Sequence, residues 1–172
     1  MNRAIFLDRD GVINEDSEFV SKISDFKFLK NVFESLRRLQ FKGFKLFIIT
    51  NQSGIGRGYY SIQDFKKLND YMLESLKSEQ IEIPEVYFCP HKPEDNCECR
   101  KPNAGMIKQY HNDYSEIIGK EFLVGDTDKD YGCAENAGIP FILRKRSYNT
   151  DLVPFADYYI NTLRGLGGIL GK

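Results

Sequence analysis

Short apolar blocks alternate along the chain with longer amphipathic stretches, and polar turns separate the two. Blocks rich in β-branched and aromatic residues predict strands at 4–7, 45–49, 85–88, 121–124, 141–143 and 158–160. Helical periodicity fills most of the intervals between these blocks. The repeated order of strand, helix and strand predicts a single α/β domain with a mostly parallel, Rossmann-like sheet that helices cover on both faces.

The helical stretches have recognisable faces and ends. Residues 31–40 place three apolar side chains on one face, and Ser61 is expected to cap a longer helix. Further helices are predicted after Pro102 near Asn103, and through Cys133 up to Gly138.

Length and charge narrow the class of protein. The 172 residues suit one domain spanning 1–172, and 24 basic against 25 acidic residues give a net charge of −1. A chain so close to neutral has no overall electrostatic field that would attract it to nucleic acid or to a membrane surface. The first apolar run is too short for a signal peptide, and no segment approaches the roughly 20 apolar residues of a membrane span. We therefore expect a cytoplasmic monomer that acts on a small molecule.

Polar side chains follow the ends of several predicted strands. Asp8 and Asp10 come after the first strand, Thr50 and Asn51 after the second, and Asp126 after the fourth. Open α/β sheets bind ligands outside the carboxyl ends of their strands. We therefore expect these groups to converge in one crevice.

The acidic residues at these ends suggest phosphate chemistry. An isolated Asp-x-Asp also fits a turn with solvated carboxylates, but a second acidic cluster at Asp126 favours a Mg²⁺ site. A carboxylate such as Asp8 can also accept a phosphoryl group. Thr50 and Lys101 would neutralise the phosphoryl oxygens.

These residues together resemble the four ordered motifs of the haloacid dehalogenase superfamily phosphatases: Asp8-x-Asp10, Thr50, Lys101 and Gly125-Asp126-x-x-x-Asp130. The resemblance implies that Asp8 is the nucleophile and Asp10 the general acid/base. It implies that Thr50 and Lys101 orient the phosphate. It also implies Mg²⁺ ligands at Asp8, Asp10 and Asp126, with Asp130 supporting the site from outside the ligand shell.

A narrower resemblance lies in residues 8–14, 50–59 and 97–102. These segments are similar to the D-glycero-D-manno-heptose 1,7-bisphosphate 7-phosphatase family, which is related to the histidinol-phosphate phosphatases. The resemblance implies a sugar phosphate substrate, with Arg100 binding its second charged group. It implies further substrate contacts from Asp16, Ser17, Glu18, Phe19, Asn51, Gln52 and Ser53.

The chain departs from this family at two places. Thr127 stands where the family often has a lysine, so one phosphate or metal contact is missing or supplied elsewhere. The short interval between His91 and Cys97 resembles the histidinol-phosphate phosphatases equally well. Histidinol phosphate, or another small phosphomonoester, is therefore the alternative substrate.

A cap domain is not expected. About forty residues separate Asp10 from Thr50, and a loop, a helix and a strand use them. Loops at 14–28, 54–60 and 89–99 are then expected to rim the crevice and to set specificity.

Three cysteines and a histidine cluster within residues 89–99. A Cys₃His set matches a tetrahedral structural zinc site, which leaves no open position for catalysis. Folding of this loop around Zn²⁺ would direct Arg100 and Lys101 into the crevice. The four predicted ligands are Cys89, His91, Cys97 and Cys99.

The remaining thiol and imidazole carry no such pattern. Cys133 is predicted to be a core residue, and His111 a surface or capping residue.

Features of the sequence disfavour three other functions. A nucleic-acid 3′-phosphatase would need a basic, aromatic groove, which the net charge does not favour. A zinc-stabilised binding module without catalysis would not need the intact acidic motifs. Residues 54–58 lack the Gly-Lys-Ser/Thr ending of a nucleotide-binding P-loop.

Overall fold

The computed structural model describes residues 3–115 and 119–170, and in these ranges six strands form one sheet. All the strand pairs are parallel. The strands are β1 (Arg3–Leu7), β2 (Phe44–Asn51), β3 (Val86–Cys89), β4 (Lys120–Gly125), β5 (Phe141–Arg144) and β6 (Tyr158–Ile160). Their order in the sheet is β3-β2-β1-β4-β5-β6. The six predicted strands and the parallel α/β class are confirmed, while the predicted domain span of 1–172 extends beyond the described residues.

Helices occupy both faces of the sheet. They are α1 (Val32–Phe41), α2 (Ser53–Gly56), α3 (Ile62–Ser78), α4 (Gly105–Asp113), α5 (Asp128–Ala137) and α6 (Leu166–Ile169). Ser61 caps α3 as predicted, because its Oγ accepts the Asp64 amide while Asp64 Oδ2 accepts the Ser61 amide. Gly138, with φ of 68°, ends α5 in the left-handed conformation that glycine favours.

Alternation along β1 divides the core into two layers. Ile5 and Leu7 pack with apolar residues of α1, α3 and α6, while Ala4 and Phe6 pack with residues of α4 and α5. Side chains of a strand point alternately to its two faces, so a helix layer on each face buries them all.

The central position of β1 determines where a ligand site can form. The chain leaves β1 for β2 and β3 on one side, and later returns to β4 on the other side. Such a reversal opens a crevice at the carboxyl ends of the strands. Thr50 and Asn51 are the last two residues of β2 rather than residues after it, because β2 stays paired with β3 through Asn51 and Cys89.

The connection from β1 to β2 contains a loop, a 3-10 turn at Ile23–Asp25, and α1. These elements leave no room for a cap domain there, as predicted. Within 3–115 and 119–170, no helix is both long and apolar enough to cross a membrane.

Candidate active site

A pocket of about 260 Å³ opens at the carboxyl ends of β1 and β2. All four predicted catalytic residues line it, and so do the predicted substrate residues except Ser17. The pocket is lined by Asp8, Asp10, Asp16, Glu18, Phe19, Thr50, Asn51, Gln52, Ser53, Tyr60, Arg100, Lys101, Thr127 and Lys129.

The two carboxylate oxygens of Asp8 differ in their contacts. Its Oδ1 accepts the Arg9 amide at 2.8 Å and lies 2.9 Å from Lys101 Nζ. Its Oδ2 has no hydrogen-bond partner among the residues that the structure describes. Burial and the nearby Asp130 carboxylate raise the pKa of Asp8 well above its usual range. The site therefore offers an oxygen that can attack a phosphorus atom, provided that positive charge keeps it ionised.

Lys101 supplies part of that positive charge. Its side chain is 2% exposed, and Nζ contacts Asp8 Oδ1, Asp130 Oδ1 at 2.6 Å and the Ile49 carbonyl at 3.1 Å. Burial opposes the charge, but the carboxylates of Asp130 and Asp8 outweigh burial and raise the Lys101 pKa. All three ammonium protons thus have partners, and Lys101 acts on the pocket chiefly through its charge.

Asp8, Asp126 and Asp130 form a buried acidic group. Each contributes an oxygen that lies within 4.8 Å of the others. Burial raises the pKa of Asp126 to about 6, even though the hydroxyl of Tyr148 donates to its Oδ2 and lowers the pKa. Three buried carboxylates against one lysine leave an excess of negative charge, which fits a divalent cation with oxygen ligands.

Asp130 has both oxygens occupied. Oδ1 pairs with Lys101, while Oδ2 accepts the Asp126 and Thr127 amides and the Thr127 hydroxyl. Asp8 and Asp126 are therefore the members of the acidic group with free ligand capacity, and Asp130 supports them.

Glycine at position 11 is needed for close approach. A β-carbon there would lie 2.1 Å from Asp126 Oδ2, and the backbone φ of 79° is one that glycine favours. The loop after β1 can thus pass directly over Asp126.

Asp10 lies apart from the acidic group. Arg9, which is 1% exposed, donates to both of its oxygens, and Asn14 Nδ2 and Gln52 Nε2 donate at 2.9 and 3.1 Å. Both carboxylate oxygens of Asp10 are therefore occupied by donors of Arg9, Asn14 and Gln52. The separation suits a proton-transfer role better than that of a third carboxylate ligand.

Asn51 holds the backbone of Lys101. Its Oδ1 accepts the Lys101 amide and its Nδ2 donates to the Lys101 carbonyl, both at 3.0 Å. Residue 101 is thereby fixed against the end of β2 through a side chain for which the resemblance implied a substrate contact.

The four predicted zinc ligands lie together on the loop after β3. Cys89 Sγ is 3.5 Å from Cys97 Sγ and 3.6 Å from His91 Nδ1, and Cys99 Sγ is 3.5 Å and 3.3 Å from the same two atoms. Tetrahedral coordination at a Zn–S length of about 2.3 Å implies edges of roughly 3.8 Å, close to these separations. The loop therefore has the ligand set and approximate geometry of a zinc site.

Several side chains that support the site were not predicted from the sequence. Arg144 NH1 donates to the Gly11 carbonyl at 2.5 Å, and Asn149 Nδ2 donates to the Asp126 carbonyl at 2.7 Å. These contacts span long stretches of chain, so no local pattern could have indicated them. The charged Arg9, between two acids at a strand end, was the one local signal available.

Thr127, at the start of α5, stands where the family often has a lysine. Thr127 caps α5 through Asp130, and Lys129, two residues later, lines the pocket. A cation is thus present at this side of the pocket.

The remaining thiol and imidazole lie outside the pocket. Cys133 is fully buried in the core, as predicted, and His111 pairs with Glu121 at 2.8 Å.

Among solved structures, one similar to this chain is the crystal structure of D,D-heptose 1,7-bisphosphate phosphatase from B. bronchiseptica, complexed with magnesium and phosphate. It matches with a TM-score of 0.89 and 28% identity, covering 98% of this chain and 97% of that chain. The fold and the site define a phosphatase of the haloacid dehalogenase superfamily, an enzyme that hydrolyses phosphoric monoesters.

The sequence comparisons identify the family. A family model described as polynucleotide kinase 3 phosphatase matches residues 4–148. D-glycero-beta-D-manno-heptose-1,7-bisphosphate 7-phosphatase of Helicobacter pylori (strain J99) is 45% identical over 139 residues, which is 80% of each chain. The corresponding alpha enzyme of Campylobacter jejuni is 45% identical over 137 residues, 80% of this chain and 78% of its own. The chain belongs to the family of that model and to the D-glycero-D-manno-heptose-1,7-bisphosphate 7-phosphatases, which confirms the resemblance.

Proposed function

We propose that the protein removes the 7-phosphate of D-glycero-D-manno-heptose 1,7-bisphosphate, in a Mg²⁺-dependent reaction through an aspartyl phosphate on Asp8. The observation that carries the chemistry is Asp8 Oδ2, which has no hydrogen-bond partner within 3–115 and 119–170 and lies beside Lys101 in the pocket. The observation that favours the substrate is the 45% identity to enzymes named for it.

The first half-reaction transfers the phosphoryl group to the protein. Asp8 Oδ2 attacks the phosphorus, and the bond from phosphorus to the sugar oxygen breaks. Asp10 donates a proton to that oxygen, so the product leaves as an alcohol. Thr50 and Lys101 offset the charge on the phosphoryl oxygens.

The second half-reaction restores the carboxylate. Asp10, now ionised, takes a proton from a water molecule whose oxygen attacks the phosphorus of the aspartyl phosphate. The bond from phosphorus to Asp8 Oδ2 breaks, which releases inorganic phosphate. One water is consumed for each phosphomonoester cleaved.

Mg²⁺ would be held by Asp8 and Asp126, and would supply positive charge that offsets the repulsion between Asp8 and an incoming phosphate. The choice of these two residues follows from the full occupancy of the Asp130 oxygens. The B. bronchiseptica enzyme, whose structure contains magnesium and phosphate, supports the choice of Mg²⁺ as the ion.

Zn²⁺ is proposed for the cluster of Cys89, His91, Cys97 and Cys99, in a structural role. Arg100 follows the last ligand directly, and its NH1 donates to the His91 carbonyl at 3.2 Å. The loop thereby holds a cation at the mouth of the pocket.

Arg100 and Lys129 both line the pocket and are candidates for binding the second phosphate of a bisphosphate. We expect Arg100→Gln to raise KM for the bisphosphate by about 10- to 100-fold, since a charge-assisted contact is worth about 1.5–3 kcal/mol. The same change should leave KM for p-nitrophenyl phosphate, which has one phosphate, within about 2-fold. Equal effects on both substrates would refute this role.

A second candidate function follows from the family model, whose description names a polynucleotide 3′-phosphatase. A net charge of −1 does not favour a nucleic-acid substrate. The decisive experiment is therefore a comparison of kcat/KM, in the presence of Mg²⁺, for both anomers of heptose 1,7-bisphosphate, histidinol phosphate and a 3′-phosphorylated oligonucleotide. Preference for histidinol phosphate or for the oligonucleotide would refute the proposed heptose substrate. Both anomers are needed because the relatives named for the alpha and the beta anomer are equally similar to this chain.

We also propose that the enzyme acts in the cytoplasm as a monomer. Light scattering of the purified protein tests the monomer, since a stable dimer would double the measured mass.

A further inference from the structure

The side chain of Gln52 joins three other residues inside the pocket wall. It is 2% exposed, and its Nε2 donates to Asp10 Oδ2 at 3.1 Å and to Thr50 Oγ1 at 2.9 Å. The hydroxyl of Tyr60 donates to Gln52 Oε1 at 2.7 Å. Both amide protons are thus committed to protein atoms, which leaves Gln52 poorly suited to donate to a substrate.

The contacts of the Gln52 side chain select one of the two orientations of its amide. With Oε1 turned to the Tyr60 hydroxyl, Nε2 must face Asp10 and Thr50. In the reversed orientation an amide oxygen would face a carboxylate oxygen of Asp10, and two acceptors would repel each other. The Asp10 carboxylate therefore sets the direction of both donors, and the bond from the Tyr60 hydroxyl to Gln52 Oε1 stabilises that orientation.

The orientation of Gln52 matters for Thr50 as well as for Asp10. Because Thr50 Oγ1 accepts from Gln52, the hydroxyl proton of Thr50 is not used in that bond. This proton can be donated to a phosphoryl oxygen in the pocket. A reversed amide would instead compete for it.

Local packing holds Tyr60 in this position. A β-carbon on Gly54 would lie 2.1 Å from Tyr60 Cε1, so the glycine makes room for the ring. Burial raises the pKa of Tyr60 to about 12, which keeps the hydroxyl protonated and able to donate.

We propose that Tyr60 is a positioning residue for the phosphatase reaction, acting through Gln52 to orient Asp10 and Thr50. The inference rests on the proposed roles of Asp10 and Thr50, and gives a specific role to Tyr60, which the sequence indicated only as part of the rim loop 54–60. Both groups act on the transition state, so loss of their orientation should lower kcat and leave KM nearly unchanged.

The first test is Tyr60→Phe, which removes the hydroxyl and keeps the ring. We expect kcat to fall about 10-fold, with KM within about 2-fold, as for loss of other orienting contacts. The matched control is Tyr87→Phe, which also removes a tyrosine hydroxyl bonded to a side chain, Asp113, but outside the pocket. Unchanged kcat in Tyr60→Phe, or a change confined to KM, would overturn the inference.

A double-mutant cycle shows whether Tyr60 acts through Gln52. Gln52→Met removes the amide at similar size, and Tyr60→Phe should then cause no further loss of kcat. Additive losses would mean that Tyr60 acts directly on the substrate, and would refute the positioning role. Gln52→Glu is the second background in case Gln52→Met does not fold, since it keeps an acceptor for Tyr60 but has no donor for Asp10.

The cycle is measured with both heptose 1,7-bisphosphate and p-nitrophenyl phosphate. The part of the predicted fall that acts through Thr50 concerns the phosphoryl group and should appear with either substrate. The part that acts through Asp10 should be larger for the bisphosphate, because a sugar alkoxide needs a proton to leave and p-nitrophenolate does not. Cleavage of p-nitrophenyl phosphate alone would refute the heptose substrate while the cycle still tests Tyr60. Cleavage of neither would refute the phosphatase proposal and the inference together.

Discussion

The acidic group and the cysteine loop are both clusters of metal-binding side chains, but they are assembled differently. Asp8, Asp126 and Asp130 come from the ends of β1 and β4 and from α5, and the fold has to bring them together. The thiols and imidazole of the loop lie within residues 89–99. Assembly of the acidic group requires the folded sheet, whereas the ligands of the cysteine loop all lie in one segment after β3.

The two clusters meet at Lys101. This residue lies two positions after Cys99, and its ammonium group contacts both Asp8 and Asp130. We therefore expect the cysteine loop to help position a cation that the acidic group requires. Five substitutions test this difference between the two clusters, from the largest expected effect to the smallest.

Replacing the nucleophile should abolish turnover without affecting the loop. We expect Asp8→Asn to lower kcat by at least about 10³-fold, because an amide cannot form the covalent intermediate. Asp10→Asn should do nearly as much, through loss of proton transfer. Phosphate release, with zinc content as the second measurement, checks both, and the exposed Asp128→Asn is the control. Retained turnover in Asp8→Asn would refute the covalent mechanism.

Replacing Lys101 should damage both activity and stability. Lys101→Met leaves Asp8 and Asp130 buried without their cation, so we expect unfolding to be easier by about 3–5 kcal/mol and kcat to fall by at least about 10²-fold. Urea denaturation and phosphate release measure the two effects. Lys101→Arg keeps the charge and should recover part of the stability. Full stability in Lys101→Met would contradict the ion-pair geometry.

Disrupting the loop should affect the acidic group indirectly. Cys99→Ser should lose bound zinc, lower the melting temperature and reduce kcat by about 10–100-fold, the range seen when supporting contacts of a site are lost. Elemental analysis, thermal unfolding and phosphate release are the measurements. Cys133→Ala, a thiol outside the cluster, should retain zinc. Loss of zinc with unchanged activity would show that the cysteine loop does not support the active site, and would contradict this prediction.

Releasing the backbone of Lys101 should have the smallest effect. Asn51→Ala removes two hydrogen bonds to residue 101, so we expect a loss of about 1–3 kcal/mol in stability and a fall in kcat of about 5–10-fold. The control is Asn136→Ala, which removes one hydrogen bond, from Asn136 Nδ2 to the carbonyl of Pro102, the residue after Lys101. A change in KM alone would instead indicate that Asn51 binds the substrate.

Much of the fold was predictable because its signals are local. Six strands, the cap at Ser61 and the stop at Gly138 follow from periodicity and from the conformational preferences of single residues. The start of α4 at Gly105 was less predictable, since Asn103 donates its side-chain amide to the Cys97 carbonyl instead of opening the helix. The residue at which a helix begins thus depends on the hydrogen-bond partners near its end, and helix propensity alone does not fix it.

The sequence by itself determined which chemical groups the protein has and the ends of the strands at which they lie. It also determined the cysteine loop, because ligands close in the chain stay close in any fold. Only the tertiary structure decided how Asp8 and Asp10, two residues apart, differ: one faces Lys101 and the acidic group, the other Arg9 and Gln52. The physical reason is that Arg9 is a neighbour of both carboxylates in the chain, whereas Lys101 and Asp130 beside Asp8, and Gln52 beside Asp10, come from distant segments that only the packed sheet and helices bring into contact.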